Sequence, residues 1–394
     1  MNYTFAGRTK MLTLVLMGLG LAASVYGFIV TPERAWANLL LNGFFFMAVA
    51  LAGTFFIAAN TVGEAGWYTG FKRVPEAMGN FLPFGGGLIL ILVICGMAGV
   101  HDIWRFMDPH FRETDALYIN SGKKAYLGPV FYICRTVIFI AGWVFITWKL
   151  RRLSLRQDAA GIGESLKYHR KIYNLSAFFL VFFAVSSSMS AWDWLMSIDV
   201  HWFSTLFGWY VFAGLFVSGI TMILLIVVHL KRQGLLPNVN ENHIHDLAKY
   251  MFAFSIFWTY LWFSQYMLIW YSNIPEEIVY FLERFNTSYK YIVIPMLVIN
   301  FAFPLVVIMH RHAKRNYSLL TFVGCILIFG HYLDTFQIVM PGTVKDKWAI
   351  GFLEIGMFLG FLGLFLFVVL TSLSRVPLVA KNQPFLNESK QHHI

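Results

Sequence analysis

The sequence predicts an all-α fold, a polytopic membrane bundle of about ten transmembrane helices, and three observations carry that expectation. Of the 394 residues, 58% are hydrophobic and only 13% charged, roughly half the charged fraction of a soluble domain. Ten apolar runs recur along the chain, each long enough to cross a hydrocarbon core about 30 Å thick. The Lys and Arg residues lie in short stretches between those runs, the distribution that orients helices in a bilayer and meets anionic headgroups. The net charge of +10 therefore points to membrane lipid and not to nucleic acid.

The runs fall at 11–30, 38–62, 80–99, 128–149, 172–197, 203–229, 247–272, 289–310, 317–338 and 348–370. The first follows a basic lead, Arg8 and Lys10, and no small-x-small cleavage site follows it. It is longer than a signal-peptide core, so it reads as a retained span. The third is expected to enter bent, at Pro75, Pro83 and Gly85-Gly86-Gly87. A glycine run serves a close helix crossing more often than a broken helix at a binding site. The fifth and sixth are joined within Ser186 to Phe216 by a hairpin too short to leave the membrane surface. After the seventh, Asn273-Ile274-Pro275-Glu276-Glu277 reads as a turn followed by a short amphipathic helix. Spans two to five and six to nine are expected to form two four-helix bundles, with flanking helices. The membrane domain covers 1–371, and 372–394 reads as a polar, flexible tail.

With the N-terminus in the cytoplasm, that side carries nineteen Lys and Arg against eight opposite. Seven of the nineteen lie between Lys149 and Lys171. Both termini are thus expected to be cytoplasmic. The outer half then holds Asp193, Asp199 and His201 of the hairpin, with His101 and Asp102 ending the third span. It also holds Arg135 about two turns into the fourth span and Glu354 about two turns into the tenth. His331 and Asp334 share one face of the ninth span at i, i+3. The inner half is expected to contain few ionisable groups, among them Glu64 and His229 near span ends.

A carboxylate at bilayer depth costs about 2.5–3.5 kcal/mol on insertion scales. Groups that change charge near pH 7, spaced through several helices, are what a proton relay or quinol pocket requires. Interhelix pairing uses the same residues and accounts well for Arg135. An interfacial hairpin, with Trp192, Trp194 and Trp202 as belt anchors, accounts for the hairpin acids. Both readings stand on sequence alone.

Cofactor chemistry is not expected in the chain itself. Cys95, Cys134 and Cys325 lie singly in apolar runs, with no CxxC and no CxxCH. An iron–sulfur cluster needs about four thiolates. The histidines sit mostly at span ends and offer no clear axial pair for a b-type haem. His310 and His312 lie beside Arg311, Lys314 and Arg315, which repel a metal ion. There is no phosphate-binding glycine loop, HExxH or nucleophile elbow.

The N-terminal run MNYTFAGRTKMLTLVLMGLGLAASVYGF, the hairpin AWDWLMSIDVHWFSTLFGWYVFAG and the segment MLIWYSNIPEEIVYF resemble the ActF-type membrane subunits of bacterial alternative complex III. The wider NrfD/PsrC family of membrane subunits is similar more distantly. The resemblance covers nearly the whole chain, including the ten-span layout. It implies a non-redox subunit of a complex that oxidises menaquinol-type quinols in a bacterial inner membrane. Electrons would pass through iron–sulfur clusters and haem c in partner subunits toward a cytochrome or terminal oxidase. The implied partners are an ActC-like paralogue, which would hold the quinol pocket, an iron–sulfur subunit and haem c subunits. The implied role here is a proton pathway through the polar intramembrane residues.

Two alternatives compete. One is a stand-alone secondary transporter, suggested by Gly85–Gly87 and by midplane polar residues such as Asn300. The other is a structural anchor whose acids and bases are interhelix pairs. Within the relay reading Asp193, deeper in its span, is expected to matter more than Asp199 and His201 at the water boundary.

Overall fold

The computed structural model describes residues 3–5 and 7–393, and among these residues no β-strand occurs. Each predicted apolar run is the centre of a long helix. These are α1 (Gly7–Val30), α2 (Pro32–Val62), α3 (Arg73–Met97), α4 (Pro129–Ala159), α5 (Ile162–Trp194), α6 (Phe207–Arg232), α7 (Glu241–Ser272), α8 (Lys290–Val307), α9 (Tyr317–Val344) and α10 (Phe352–Ser374). Nine of them, among the described residues, are long and apolar enough to cross a membrane. The exception, α7, is as long as the rest at 32 residues. Its apolar stretch is interrupted by Ser255, Thr259, Tyr260, Ser264, Gln265 and Tyr266, which lower its mean hydropathy.

The two expected bundles are present. Helices α2, α3, α4 and α5 each pack on the next, and α5 closes on α2; α6, α7, α8 and α9 close in the same way. The bundles meet where α2 packs on α6 and α9, and where α5 packs on α6. Burial follows that plan, with 94% of the apolar window of α2 enclosed against 22% for α1. Phe55 sits at the seam, its ring centroid 4.9 Å from Phe183 and 5.1 Å from Phe216. Helices α1 and α10 pair with each other on the flank of α2. A Cβ on Gly20 or on Gly360 would run into the other's backbone. Lipid supplies no hydrophobic drive between helices, so such close backbone contact is what holds the pair.

Local breaks follow the sequence. The entry to α3 bends through a 3-10 turn at Gly79–Phe81. Beyond that turn the helix is continuous through Gly85–Gly87, where Gly85 meets Met47 and Gly86 meets Ile140. These glycines thus make close crossings. The true break is in α8, where a π-helical turn spans Val298–Ala302 between Pro295 and Pro304. The expected amphipathic helix is Pro275–Asn286, started by Asn273 in the left-handed conformation at φ 48°. Trp202 of the hairpin stacks on Tyr280 at 3.9 Å and so ties that helix to the end of α5.

One expectation of the fold needs correction. The tail is packed, not loose: Glu388 accepts from the Gly66 amide, and Ser389 bonds Trp67, Gly70 and His243. His392 pairs with Asp246 at 2.6 Å. Its polar residues bond backbone and side-chain groups at the ends of both bundles, so its low apolar content does not make it free. The same end of the molecule is also rich in buried charge, as described below.

Candidate functional site

Asp193 ends α5 facing Arg135 on α4. Both carboxylate oxygens accept from the guanidinium at 2.9 Å. Asp193 is fully buried. A third nitrogen of Arg135 donates to the Tyr126 carbonyl at 2.8 Å, and the guanidinium lies 4.0 Å from the Tyr126 ring centroid. Tyr132 donates to the Asp193 carbonyl at 2.8 Å. A bidentate pair of this kind is the strong form of charge-assisted bond. It is the interhelix pairing that the structural alternative anticipates.

Asp334 is held quite differently. It is buried midway along the second bundle, where Tyr210 of α6 donates to one oxygen and Trp258 of α7 to the other at 3.0 Å. Neither partner is a cation. One turn away on α9, His331 is 2% exposed and bonds no protein group through either ring nitrogen. Its ring meets Trp258 edge-on at 5.2 Å. Asn300, at the π turn, is fully buried with both amide atoms unbonded and lies against Gly330. A π turn re-aims side chains, and such turns are common at functional positions.

Asp334 lines two small cavities, each about 20 Å³, which is room for a single water. One runs past Gln265, Tyr280 and Arg284 toward the end that carries the hairpin, and the other holds His331 and Ser218 beside α2. Tyr280 also lines an open cleft of about 390 Å³ with Asp199, His201, Arg105 and Glu283. Arg284 lies 3.9 Å from Asp199 and 3.3 Å from the Tyr280 ring centroid. Burial pushes the Asp199 carboxyl up, opposed by Arg284 and Arg105. Glu283 is also pushed up, by burial and then by the charge of Asp199.

The remaining candidates lie apart from this line. His201 is exposed and pairs with Asp115 at 3.2 Å. His101 is buried, bonded to the Leu92 carbonyl at 2.9 Å, and Asp102 is exposed. Glu354 is in the first turn of α10, not two turns in, because Gly351 starts the helix and its amide donates to Glu354. Arg34 pairs with Glu354 at 2.6 Å. The nine candidates therefore do not form one outer cluster. Asp334 and His331 share a cavity, Asp199 and His201 share the cleft, and Asp193 and Arg135 share a bond.

A second group of buried charges lies at the other end of the first bundle, beyond the apolar lengths of the helices. Lys72, Arg73 and Glu76 are all buried at the entry to α3. Arg73 is bonded by both Glu76 and Asp158, and Lys72 lies 3.8 Å from Glu76. Burial pushes Lys72 down to about 8, against the pull of Glu76. The long ends of α4 and α5 cover these residues. At 31 residues α4 is about 46 Å long, well beyond a ~30 Å hydrocarbon core. A cavity of about 20 Å³ lies here, lined by Lys72, Glu76, His169, Tyr68, Thr61 and Thr54 among others.

Sequence reasoning missed Tyr210 and Trp258, which read as membrane aromatics. Only their approach to Asp334 marks them. Among the described residues no three His, Cys, Asp or Glu side chains converge on a possible metal position. Compared with models of protein families and with curated proteins, the chain matches none.

Proposed function

We propose that the chain is a non-redox integral subunit of a quinol-oxidising respiratory complex of the alternative complex III type. In this reading it lies in a bacterial inner membrane with both termini cytoplasmic. Haem c, iron–sulfur clusters and menaquinol belong to partner subunits, and this chain moves protons. The sequence resemblance supports the assembly. One structural observation supports the proton role: Asp334, buried at mid-depth on two neutral donors, lies between two water-sized cavities with His331 one turn away.

The route would run from the outer cleft at Asp199 and Glu283, past Tyr280 and Tyr210, to Asp334 and His331. Carboxyl, phenol and imidazole groups can each hold and release a proton, and single waters can bridge between them. Its inner part would use the Lys72–Glu76–His169 cavity. Helix α2 lines both inner and middle cavities, at Thr54 and at Val49, about 7.5 Å apart along the helix.

The test is Asp334→Asn in the intact complex, reconstituted in liposomes. Expected are full haem and iron–sulfur content, slower quinol turnover and fewer protons moved per electron. Unchanged turnover and proton stoichiometry would sink the relay. The structural-anchor reading retains support from the interhelix pairs Arg135–Asp193, Arg34–Glu354 and Arg73–Asp158, and predicts assembly defects without a change in stoichiometry.

A further inference from the structure

An open cleft of about 460 Å³ lies on the outside of the molecule, at the end that carries the buried charge. Helices α3, α4 and α10 form it. Its apolar part is Phe84, Phe367 and Val368; its polar part is Arg151, Arg375 and Thr371. Phe84 is 52% exposed. Arg151 follows the apolar run of α4, and Arg375 directly follows α10. The cleft thus sits where the apolar lengths of the helices end, with its arginines at that boundary and its phenylalanines deeper.

Charge at this end is unbalanced. Arg151 donates to the carbonyls of Glu76 at 3.2 Å and Ser372 at 3.0 Å. Those two bonds leave three of its five N–H donors for other partners. The network it joins contains Lys72 and Arg73 against Glu76 and Asp158. Arg375 is exposed, bonds no group among the described residues, and is close enough to Arg151 for their charges to repel. The Thr371 hydroxyl is buried without a partner. Two guanidinium groups with spare donors above an apolar groove suit a singly charged phosphodiester carrying acyl chains.

We propose that this cleft is a binding site for an anionic phospholipid, the phosphate between Arg151 and Arg375 and an acyl chain along Phe84, Phe367 and Val368. The lipid relieves the repulsion between the arginines and seals α10 against α3 and α4. A zwitterionic lipid places a compensating cation at the arginines and binds less well. Free phosphate has no chain to fill the groove.

The full-length chain, in the assembly with which it purifies, is stripped of lipid in mild detergent and its melting temperature followed against added lipid. Phosphatidylglycerol should raise it at lower concentration than phosphatidylcholine. Arg375→Gln should weaken the phosphatidylglycerol response roughly fivefold, the loss expected for one interfacial cation. Arg152→Gln removes an equal charge next to Arg151 in sequence, on a side chain exposed over Trp148 and outside the cleft lining, and should leave the response unchanged. Equal responses to the two lipids, equal losses in both variants, or full stabilisation by inorganic phosphate would each overturn the proposal. Arg375 makes no protein bond, so the variant tests the lipid and not the fold.

Discussion

The two bundles treat a buried aspartate in opposite ways. In the first, Asp193 meets Arg135 in a bidentate pair at 2.9 Å. In the second, Asp334 has only a phenol and an indole N–H, with an unbonded imidazole one turn along. A matched pair holds two helices in one arrangement, and losing either partner strands a charge. A carboxyl group on neutral donors can change its protonation without breaking an ion pair. Burial alone therefore does not separate a structural acid from a working one; the partner does.

The contrast can be broken by substitution, and the largest effect is expected in the first bundle. Asp193→Asn leaves Arg135 buried beside a neutral amide and should cost about 3–5 kcal/mol, seen as lost assembly or a lower melting temperature. Replacing both residues, Arg135→Met with Asp193→Leu, should recover most of that loss. If the double variant is as unstable as the single one, the pair is not what the first bundle depends on.

A second effect belongs to the charged end of the same bundle. Lys72 is pushed down to about 8 by burial, against an ordinary value near 10.4. Between those values the unfolded chain holds a proton that the folded chain has released, so stability rises with pH across that window. Below about 8 the penalty of the buried charge is fully present. The rise should total at most roughly 3 kcal/mol and be absent in Lys72→Met. Parallel pH profiles for the two proteins would place the lysine in water.

Smaller stability effects are expected in the second bundle. Asp334→Asn keeps its oxygen as an acceptor for the Trp258 N–H and turns its NH2 to donate to the Tyr210 oxygen, so it should cost about 1 kcal/mol, while altering proton stoichiometry as described above. His331→Leu removes two buried nitrogens that bond no protein group, so melting should stay level or rise slightly. Proton movement should fall in the same variant. A strongly destabilised His331→Leu would make the histidine a structural group, and the contrast between the bundles would weaken.

Much of the architecture was legible in the chain. All ten apolar runs are helices, and the Asn273–Pro275 signal does start an amphipathic helix. Turn chemistry and apolar length act within one segment, which is why they can be read there. Glu354 was misplaced by about a turn because the start of α10 depends on the Gly351 capping contact. Lys72, Arg73 and Glu76 stand out only in the structure, because nothing local in the sequence shows that the ends of α4 and α5 cover them. The tail read as free because its partners, Gly66, Gly70 and Asp246, are far away in sequence. His331 and Asp334 were paired correctly, since three residues apart on a helix means one face.

By itself the sequence determined that this is an all-α membrane protein, how many long helices it has, that the entry to α3 bends, and which acids and histidines lie within them. Those properties follow from composition and spacing inside single segments. Only the tertiary structure decided that Asp193 is neutralised by Arg135 while Asp334 faces Tyr210, Trp258 and water-sized cavities. The fate of a buried charge depends on which faces of distant helices meet, and close packing settles that for all the helices together.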